Sequence, residues 1–305
     1  MTAAARSLEY GSGPERRRVA FQTHGPAHGT PVIAIHSGPG FGAVTLRPGI
    51  ELVATQHAIT LFDLPGCGAS SRHPGSGYPM AAYVEDVMQV RAAIGAARPW
   101  LLGHGWGAIL AVEAALAHPQ SVAGLVLVNP LRILRGQGQD SVAQARQVER
   151  TDATLLARFG SDVVPSLQQA MAGSGAWAAV DHNPWWPQMW HTQWAAPPSP
   201  AWTAAMAALA LGMEAYFAHK GQAMFDERSV WARYDLAQRM ATLACPLAVL
   251  ASSHDANYVA LPPIHVDPLC AAQPSMPVEL IDNAGHFLLA EAPQRVAAFL
   301  ARHVG

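Results

Sequence analysis

The chain has 305 residues, about twice the usual length of a domain, which predicts either two domains or one large fold with an insertion. Charged residues make up 13% of the chain and hydrophobic residues 50%, a balance that excludes a disordered protein. The formal net charge is −2 and Lys220 is the only lysine. Nucleic acid is therefore not expected as a partner, because no basic excess is available to neutralise phosphates.

Cysteine content and hydropathy restrict the class of protein further. Cys67, Cys245 and Cys270 are too few and too scattered for a disulfide framework or a zinc site. The N-terminus lacks the apolar run of a signal peptide, and no stretch of about 18 apolar residues predicts a membrane span. We therefore expect a cytoplasmic monomer or homodimer with reduced thiols, no metal, no cofactor and no membrane association.

Short apolar runs alternate with segments of helical periodicity up to residue 130, which is typical of an α/β fold with a mostly parallel sheet. Strands are predicted at 19–23, 31–36, 58–63, 100–104 and 122–129, and helices at 80–97 and 108–118. Strand-like runs return at 246–253 and 278–281, before an amphipathic helix at 287–303. This order predicts a core made of residues 1–130 and 240–305, with a helical, Trp-rich cap (lid) domain at 131–239.

The tryptophans are concentrated in the predicted cap. Seven of the nine lie between Trp177 and Trp231, and prolines interrupt that segment. Tryptophan in a small helical domain usually belongs to its core, but six rings within residues 177–202 exceed what such a core needs. We therefore expect some of them to line an apolar pocket for a flat or hydrophobic ligand, in the cleft between cap and core.

Three glycine-rich loops follow predicted strands. They are residues 36–40 (HSGPG), 63–70 (DLPGCGAS) and 103–107 (GHGWG), and the cap later contains 213–217 (MEAYF). In this order they resemble the α/β-hydrolase fold superfamily, and within it the proline iminopeptidase-like branch, whose loops read HGGPG and D-x-x-G-x-G-x-S and whose cap carries E-x-x-Y-F. The resemblance implies an α/β-hydrolase fold, with a mostly parallel twisted sheet, helices on both faces and a helical cap insertion.

The resemblance also implies a set of catalytic positions. The nucleophile elbow of this fold reads G-x-S-x-G, but its central residue here is Gly105, so the acyl-enzyme route lacks a nucleophile at its usual place. The acid and base positions of the family are filled by Asp255 and His286. An aspartate bonded to one imidazole nitrogen fixes the tautomer, so that the other nitrogen can accept a proton. Taken alone, an aspartate at a strand end or a single histidine is more often a structural residue than a catalytic one.

An oxyanion site is implied at two backbone positions. The family uses the N–H after the nucleophile, here that of Trp106, and one from the first glycine loop, here that of Ser37 or Gly38. Backbone donors survive side-chain substitution and can stabilise an enolate as well as a tetrahedral intermediate. Ser37 replaces a family glycine, and we expect it to be a turn former, with contact to substrate as the alternative.

Further residues are candidates for substrate binding. The family's cap carries Trp-Glu, whose glutamate helps to hold a substrate amino group, whereas this chain has Trp194 followed by Ala195. The loss of that carboxylate argues against an N-terminal proline substrate, because a buried ammonium needs paired charge. The candidates are His36, His104, Trp185, Trp186, Trp190, Trp194, Glu214, Tyr216 and Phe217.

These features favour an enzyme in which His286 and Asp255 perform non-covalent acid/base chemistry on a hydrophobic or aromatic carbonyl-containing small molecule. Isomerisation, epimerisation, elimination or cyclisation would fit, as in natural-product biosynthesis. One alternative is a hydrolase of ester, amide or aminopeptidase type acting on a small or short peptide-like substrate, with water in the space vacated at Gly105 activated by His286. A second alternative is a non-catalytic protein that binds small molecules.

Overall fold

The computed structural model describes residues 4–38, 40–72, 79–130, 195–207, 237–255 and 273–305. Most of the predicted cap lies outside these residues, so the division into core and cap stays a prediction. The candidate residues Trp185, Trp186, Trp190, Trp194, Glu214, Tyr216 and Phe217 also lie outside the described part, as does Cys270.

Within the described residues, eight strands form one sheet in the order β1-β2-β4-β3-β5-β6-β7-β8. The strands are β1 (Arg6–Tyr10), β2 (Arg17–His24), β3 (Thr30–Ile35), β4 (His57–Phe62), β5 (Trp100–His104), β6 (Gly124–Val128), β7 (Leu247–Ser252) and β8 (Val278–Ile281). β2 pairs antiparallel with β1 and β4, and every later pairing is parallel. The predicted α/β class with a mostly parallel sheet is confirmed.

Helices cover both faces of the sheet. They are α1 (Ile50–Val53), α2 (Met80–Ala93), α3 (Trp106–Ala117), α4 (Pro200–Ala207), α5 (Ala237–Met240), α6 (Leu288–Glu291) and α7 (Pro293–His303). Side chains of β3 alternate between two buried clusters: Ile33 and Ile35 join residues of α2 and α3, whereas Val32 and Ala34 join residues of α1, α6 and α7. In the part of the chain that the structure describes, no helix is long and apolar enough to cross a membrane.

The sequence missed or merged some elements. Strand β1 has a mostly exposed pattern and lacks the apolar run that marks the inner strands. The helix predicted at 287–303 is two helices, because Ala292 adopts φ −138 and ψ 51 before Pro293 begins α7. Proline favours the first turn of a helix, since it has no N–H to donate to a preceding carbonyl.

The loops with functional candidates meet at one edge of the sheet. β3, β5, β6, β7 and β8 are parallel neighbours, with Ile35 in register with Gly103 and Val128 in register with Leu250. The segments that follow these strands therefore leave the sheet side by side at its carboxyl edge, where open α/β sheets bind their ligands. Those segments carry Ser37, Gly105, Asp255 and His286.

Candidate active site

A buried histidine–aspartate pair lies at the carboxyl edge of the sheet. Asp255 follows β7, His286 follows β8, and His286 Nδ1 lies 2.7 Å from Asp255 Oδ2. The two side chains are 2% and 0% exposed. Donation of the Nδ1 proton to the carboxylate fixes the tautomer and leaves the Nε2 lone pair directed away from the aspartate. The sequence predicted both residues, and the structure brings them together.

The turn between β5 and α3 has the backbone of a nucleophile elbow. Gly105 adopts φ 56 and ψ −118 directly before the first residue of α3, a conformation that residues with a side chain rarely adopt. Its N–H donates to Val128 O at 3.0 Å. A Cβ at Gly107 would overlap Ile35 O, so glycine there permits the close approach of α3 to β3.

The space that a side chain at residue 105 would fill is occupied by Ser37. A Cβ at Gly105 would overlap Ser37 Oγ, would lie 2.9 Å from Ser37 Cβ and would lie 3.1 Å from His286 Cε1. Ser37 Oγ lies 3.3 Å from His286 Nε2, and Ser37 is only 1% exposed. The alternative in which water is activated above Gly105 stays a prediction, and the structure places the hydroxyl of Ser37, from the neighbouring loop, beside that position.

His36 anchors the peptide of Ser37. His36 Nδ1 donates to Ser37 O at 2.6 Å, and Leu64 N–H donates to His36 Nε2 at 3.1 Å. Burial lowers the pKa of His36, which agrees with a neutral ring whose Nε2 accepts a hydrogen bond. We expected His36 to contact substrate, but it is fully buried and backbone groups occupy both of its ring nitrogens. Its role is to hold the Ser37 loop against the loop after β4.

His104 contacts both the backbone and the ring of His286. Its Nε2 lies 2.7 Å from His286 O and donates to that carbonyl, and the two rings lie 4.4 Å apart between centroids. Burial, followed by the proximity of His286, lowers the pKa of His104 well below its usual range. His104 is fully buried, and its bond to the backbone of His286 gives it a positioning role; the expected contact with substrate stays a prediction.

Asn129 and Ser252 also hold the loop of His286, a role that was not predicted from the sequence. Asn129 Nδ2 donates to His286 O at 3.0 Å and to Gly285 O at 3.1 Å, while Asn129 Oδ1 accepts from Ser252 N–H at 2.8 Å. Ser252 Oγ donates to Gly285 O at 2.7 Å. The only local signal is an asparagine at a strand end, where its short polar side chain tolerates the observed φ of 42.

Glu291 holds the same loop from the other side. Its Oε2 accepts from Gly285 N–H at 2.9 Å and from Ala195 N–H at 3.0 Å, and its Oε1 accepts from Phe287 N–H at 3.2 Å. Burial raises the pKa of Glu291. The carboxylate therefore bonds the backbone on both sides of His286 and ties it to the segment before α4. In the sequence this residue is only one polar position of a predicted amphipathic helix.

The loop at 63–70 is structural. Asp63 Oδ1 accepts from Ala43 N–H at 2.9 Å, and Asp63 Oδ2 accepts from Ala69 N–H at 3.1 Å. Ser70 Oγ donates to Asp63 O at 2.6 Å. These bonds close the glycine-rich turn and fix it beside the segment that follows Ser37.

The three tryptophans of the described part, Trp100, Trp106 and Trp202, are buried in the core. The ring of Trp202 lies 5.1 Å from that of Phe287, the residue that follows His286. The Trp106 ring packs edge-on against Tyr83 at 5.1 Å.

The backbone N–H of Trp106 is at the first position of α3, where a helix offers no internal acceptor. This N–H directly follows Gly105 in the chain, and the alternative donors of the first glycine loop are the N–H groups of Ser37 and Gly38; their role as an oxyanion site stays a prediction.

Curated relatives match part of this sequence, and solved structures match its fold. A proline iminopeptidase from Heyndrickxia coagulans is 34% identical over 115 residues, which cover 37% of this chain and 40% of the relative. The chain spans about two fifths of the length of the curated relatives it matches.

Solved structures match over nearly the whole chain. The proline iminopeptidase of Mycobacterium smegmatis is 21% identical with a TM-score of 0.66, covering 98% of both chains. The structure of VinJ is 20% identical with a TM-score of 0.69, covering 99% of this chain and 98% of that one. At this identity the likeness shows the fold alone. The sequence pattern of the α/β-hydrolase fold matches residues 30–293, and the chain therefore belongs to the α/β-hydrolase fold family.

Proposed function

We propose that this protein hydrolyses an ester or amide bond of a small, apolar carbonyl compound, with His286 as general base and acid. The observation that carries the proposal is the buried 2.7 Å bond between His286 Nδ1 and Asp255 Oδ2, with Nε2 directed toward the elbow at Gly105. A relative that is 34% identical over part of the chain is named a proline iminopeptidase, itself a hydrolase.

The geometry supports the proton transfers that hydrolysis needs. His286 Nε2 removes a proton from the attacking hydroxyl group, and the imidazolium that forms is stabilised by the carboxylate of Asp255. The same proton is then given to the leaving group. The N–H groups of Trp106 and Gly38 stabilise the oxyanion, where one such donor is worth about 10²- to 10³-fold in rate.

Hydrolysis ranks above the non-covalent chemistry that the sequence favoured. Isomerisation or elimination would use the same dyad, and the sequence favours such chemistry because Gly105 offers no hydroxyl. A hydroxyl nevertheless lies 3.3 Å from His286 Nε2, supplied by Ser37. The apolar substrate is proposed from the tryptophans of residues 177–202, and the absence of a second cap carboxylate at Ala195 argues against an N-terminal amine.

The proposal is tested with p-nitrophenyl acetate, butyrate and benzoate, by following release of p-nitrophenol. We expect His286→Ala to lower kcat/KM by about 10³-fold or more, because the attacking group loses its base. His303→Ala is the matched control, since His303 packs on Phe299 in α7, outside the site, and full activity is expected.

Two results would overturn the proposal. The first is full ester hydrolysis by His286→Ala. The second is a mass-spectrometric product analysis in which a carbonyl substrate is converted by the wild type, but not by His286→Ala, to an isomer without addition of water. The second result would instead assign the non-covalent chemistry to the same dyad.

A further inference from the structure

We infer that Ser37 is the nucleophile of this enzyme and forms a covalent acyl-enzyme, taking the part that the elbow residue plays in relatives with G-x-S-x-G. The inference rests on the proposed hydrolysis and names the attacking oxygen within it. Three observations carry it: the place of the hydroxyl, the way its loop is held, and the exclusion of any side chain at position 105.

The hydroxyl of Ser37 stands in line with the dyad. Ser37 Oγ, His286 and Asp255 form a chain with an Oγ–Nε2 distance of 3.3 Å and an Nδ1–Oδ2 distance of 2.7 Å. This is the order nucleophile, base, acid in which a serine is activated. Distances between nucleophile and base are often longer before substrate binds, so 3.3 Å is compatible with proton transfer.

The peptide of Ser37 is fixed by His36, whose neutral ring also accepts a hydrogen bond from the neighbouring loop. His36 Nδ1 donates to Ser37 O at 2.6 Å, while His36 Nε2 accepts from Leu64 N–H. Both residues are at most 1% exposed. A serine that only forms a turn would use its hydroxyl to hold the loop. Here His36 holds the backbone of Ser37, and the hydroxyl lies beside His286 Nε2 instead.

Ser37 and Gly105 are mutually dependent. A Cβ at residue 105 would overlap Ser37 Oγ, so the hydroxyl of Ser37 and a side chain at 105 exclude one another in these rotamers. The chain departs from the resembling motifs at both positions, with serine in place of glycine at 37 and glycine in place of serine at 105. The two departures touch in space, and together they move the hydroxyl from one loop to its neighbour without moving the base.

The reaction balances with water as the only co-reactant. His286 Nε2 takes the Ser37 hydroxyl proton as Oγ bonds to the substrate carbonyl carbon, and the carbonyl π electrons move to oxygen. The oxyanion collapses, the bond to the leaving group breaks, and that group takes the proton from Nε2. Water then attacks the acyl-serine and gives a proton to Nε2. Oγ departs and recovers that proton, releasing a carboxylic acid.

The test uses a fluorophosphonate, which phosphonylates an activated serine as fluoride departs, together with peptide mapping by mass spectrometry. We expect one adduct, on Ser37, and its loss in Ser37→Ala and in His286→Ala. Ser37→Ala should also lower p-nitrophenyl ester hydrolysis by about 10³-fold or more, whereas Ser121→Ala, a half-buried serine outside the site, should retain the activity and the adduct. Thermal unfolding of each variant checks that it folds.

A double variant tests the exchange of positions directly. Gly105→Ser alone should not raise activity, because the introduced side chain overlaps Ser37 Oγ. Ser37→Gly combined with Gly105→Ser should recover hydrolysis at least tenfold over Ser37→Gly, with the adduct moved to residue 105.

The outcomes separate this inference from the proposed function. If Ser37→Ala keeps the hydrolysis that His286→Ala loses, water is the attacking oxygen, so the inference fails and the proposed function stands. If the wild type hydrolyses no ester or amide while Ser37 is still phosphonylated in a His286-dependent way, the nucleophile stands and the proposed function fails. In the wild type, an adduct on any residue other than Ser37 overturns the assignment, and so does a double variant whose activity does not rise above that of Ser37→Gly.

Discussion

Two buried carboxylates of this protein differ in what they face. Asp86, on α2, already has a permanent cation: Arg17 Nη1 lies 3.3 Å from its Oδ2 and donates also to Ala82 O at 2.9 Å. Tyr10 donates its hydroxyl to Asp86 Oδ1. Charge and hydrogen bonds are thus balanced in the resting protein. This cluster, which we call the Arg17 cluster, joins β1 and β2 to α2.

Under the proposed mechanism, Asp255 faces the ring that accepts the proton of the attacking hydroxyl group. Its partner is His286 Nδ1 at 2.7 Å, and the other ring nitrogen faces the hydroxyl of Ser37. Proton transfer to Nε2 creates the cation that the carboxylate pairs with. We therefore assign Asp86, with its fixed guanidinium, to folding, whereas the proposed mechanism assigns Asp255, with its imidazole partner at the sheet edge, to turnover. Substitutions in the two clusters should therefore change different measurements.

The largest effect is expected at the site. Asp255→Asn keeps the shape of the side chain but removes the charge and favours the wrong tautomer of His286, so kcat should fall by about 10⁴-fold. The free energy of unfolding should fall by no more than about 1–2 kcal/mol. Ester hydrolysis and urea unfolding measure the two quantities. Asp282→Asn, an exposed aspartate in the loop before His286, is the control and should change neither. Retention of kcat in Asp255→Asn would remove the distinction between the clusters.

More of the fold than of the candidate site could be predicted from the sequence. β5 at Trp100–His104 and β8 at Val278–Ile281 have the predicted bounds, because short apolar runs bounded by turn residues mark them clearly. The dyad was predictable from motif order. The contact between Ser37 and His286 was not, because it joins loops 249 positions apart. A serine beside glycines predicts a turn, and only the packed sheet shows that its hydroxyl fills the space above Gly105.

A smaller effect, and one on stability alone, is expected in the Arg17 cluster. Arg17→Met leaves the carboxylate of Asp86 buried without its guanidinium, which should lower the free energy of unfolding by about 3–5 kcal/mol. The adjacent Arg16→Met is the control, because Arg16 pairs with Glu9 at the surface and should contribute less than about 1 kcal/mol. Urea unfolding measures both. The kcat of the folded fraction should not change, and a loss of kcat in Arg17→Met would contradict a purely structural role.

The smallest effect expected is a pH dependence of stability from the same cluster. Burial raises the pKa of Asp86 from 3.8 to about 6, although Tyr10 and Arg17 act to lower it. The folded state therefore binds this proton more tightly than the unfolded chain does. The stability gained from this proton is present below pH 4 and is lost as the pH rises to about 6, by at most about 1.4 kcal/mol per pH unit.

Asp86→Asn cannot titrate, so the difference in unfolding free energy between wild type and this variant isolates the contribution of Asp86. Urea unfolding at intervals from pH 4 to pH 8 should show this difference changing between pH 4 and 6 and constant above pH 7. The active site should not share the window, because Asp86 contacts β1, β2 and α2 rather than the His286 loop. A difference that stays constant from pH 4 would mean that Arg17 keeps Asp86 ionised throughout. The contrast between the two carboxylates would then rest on their partners alone.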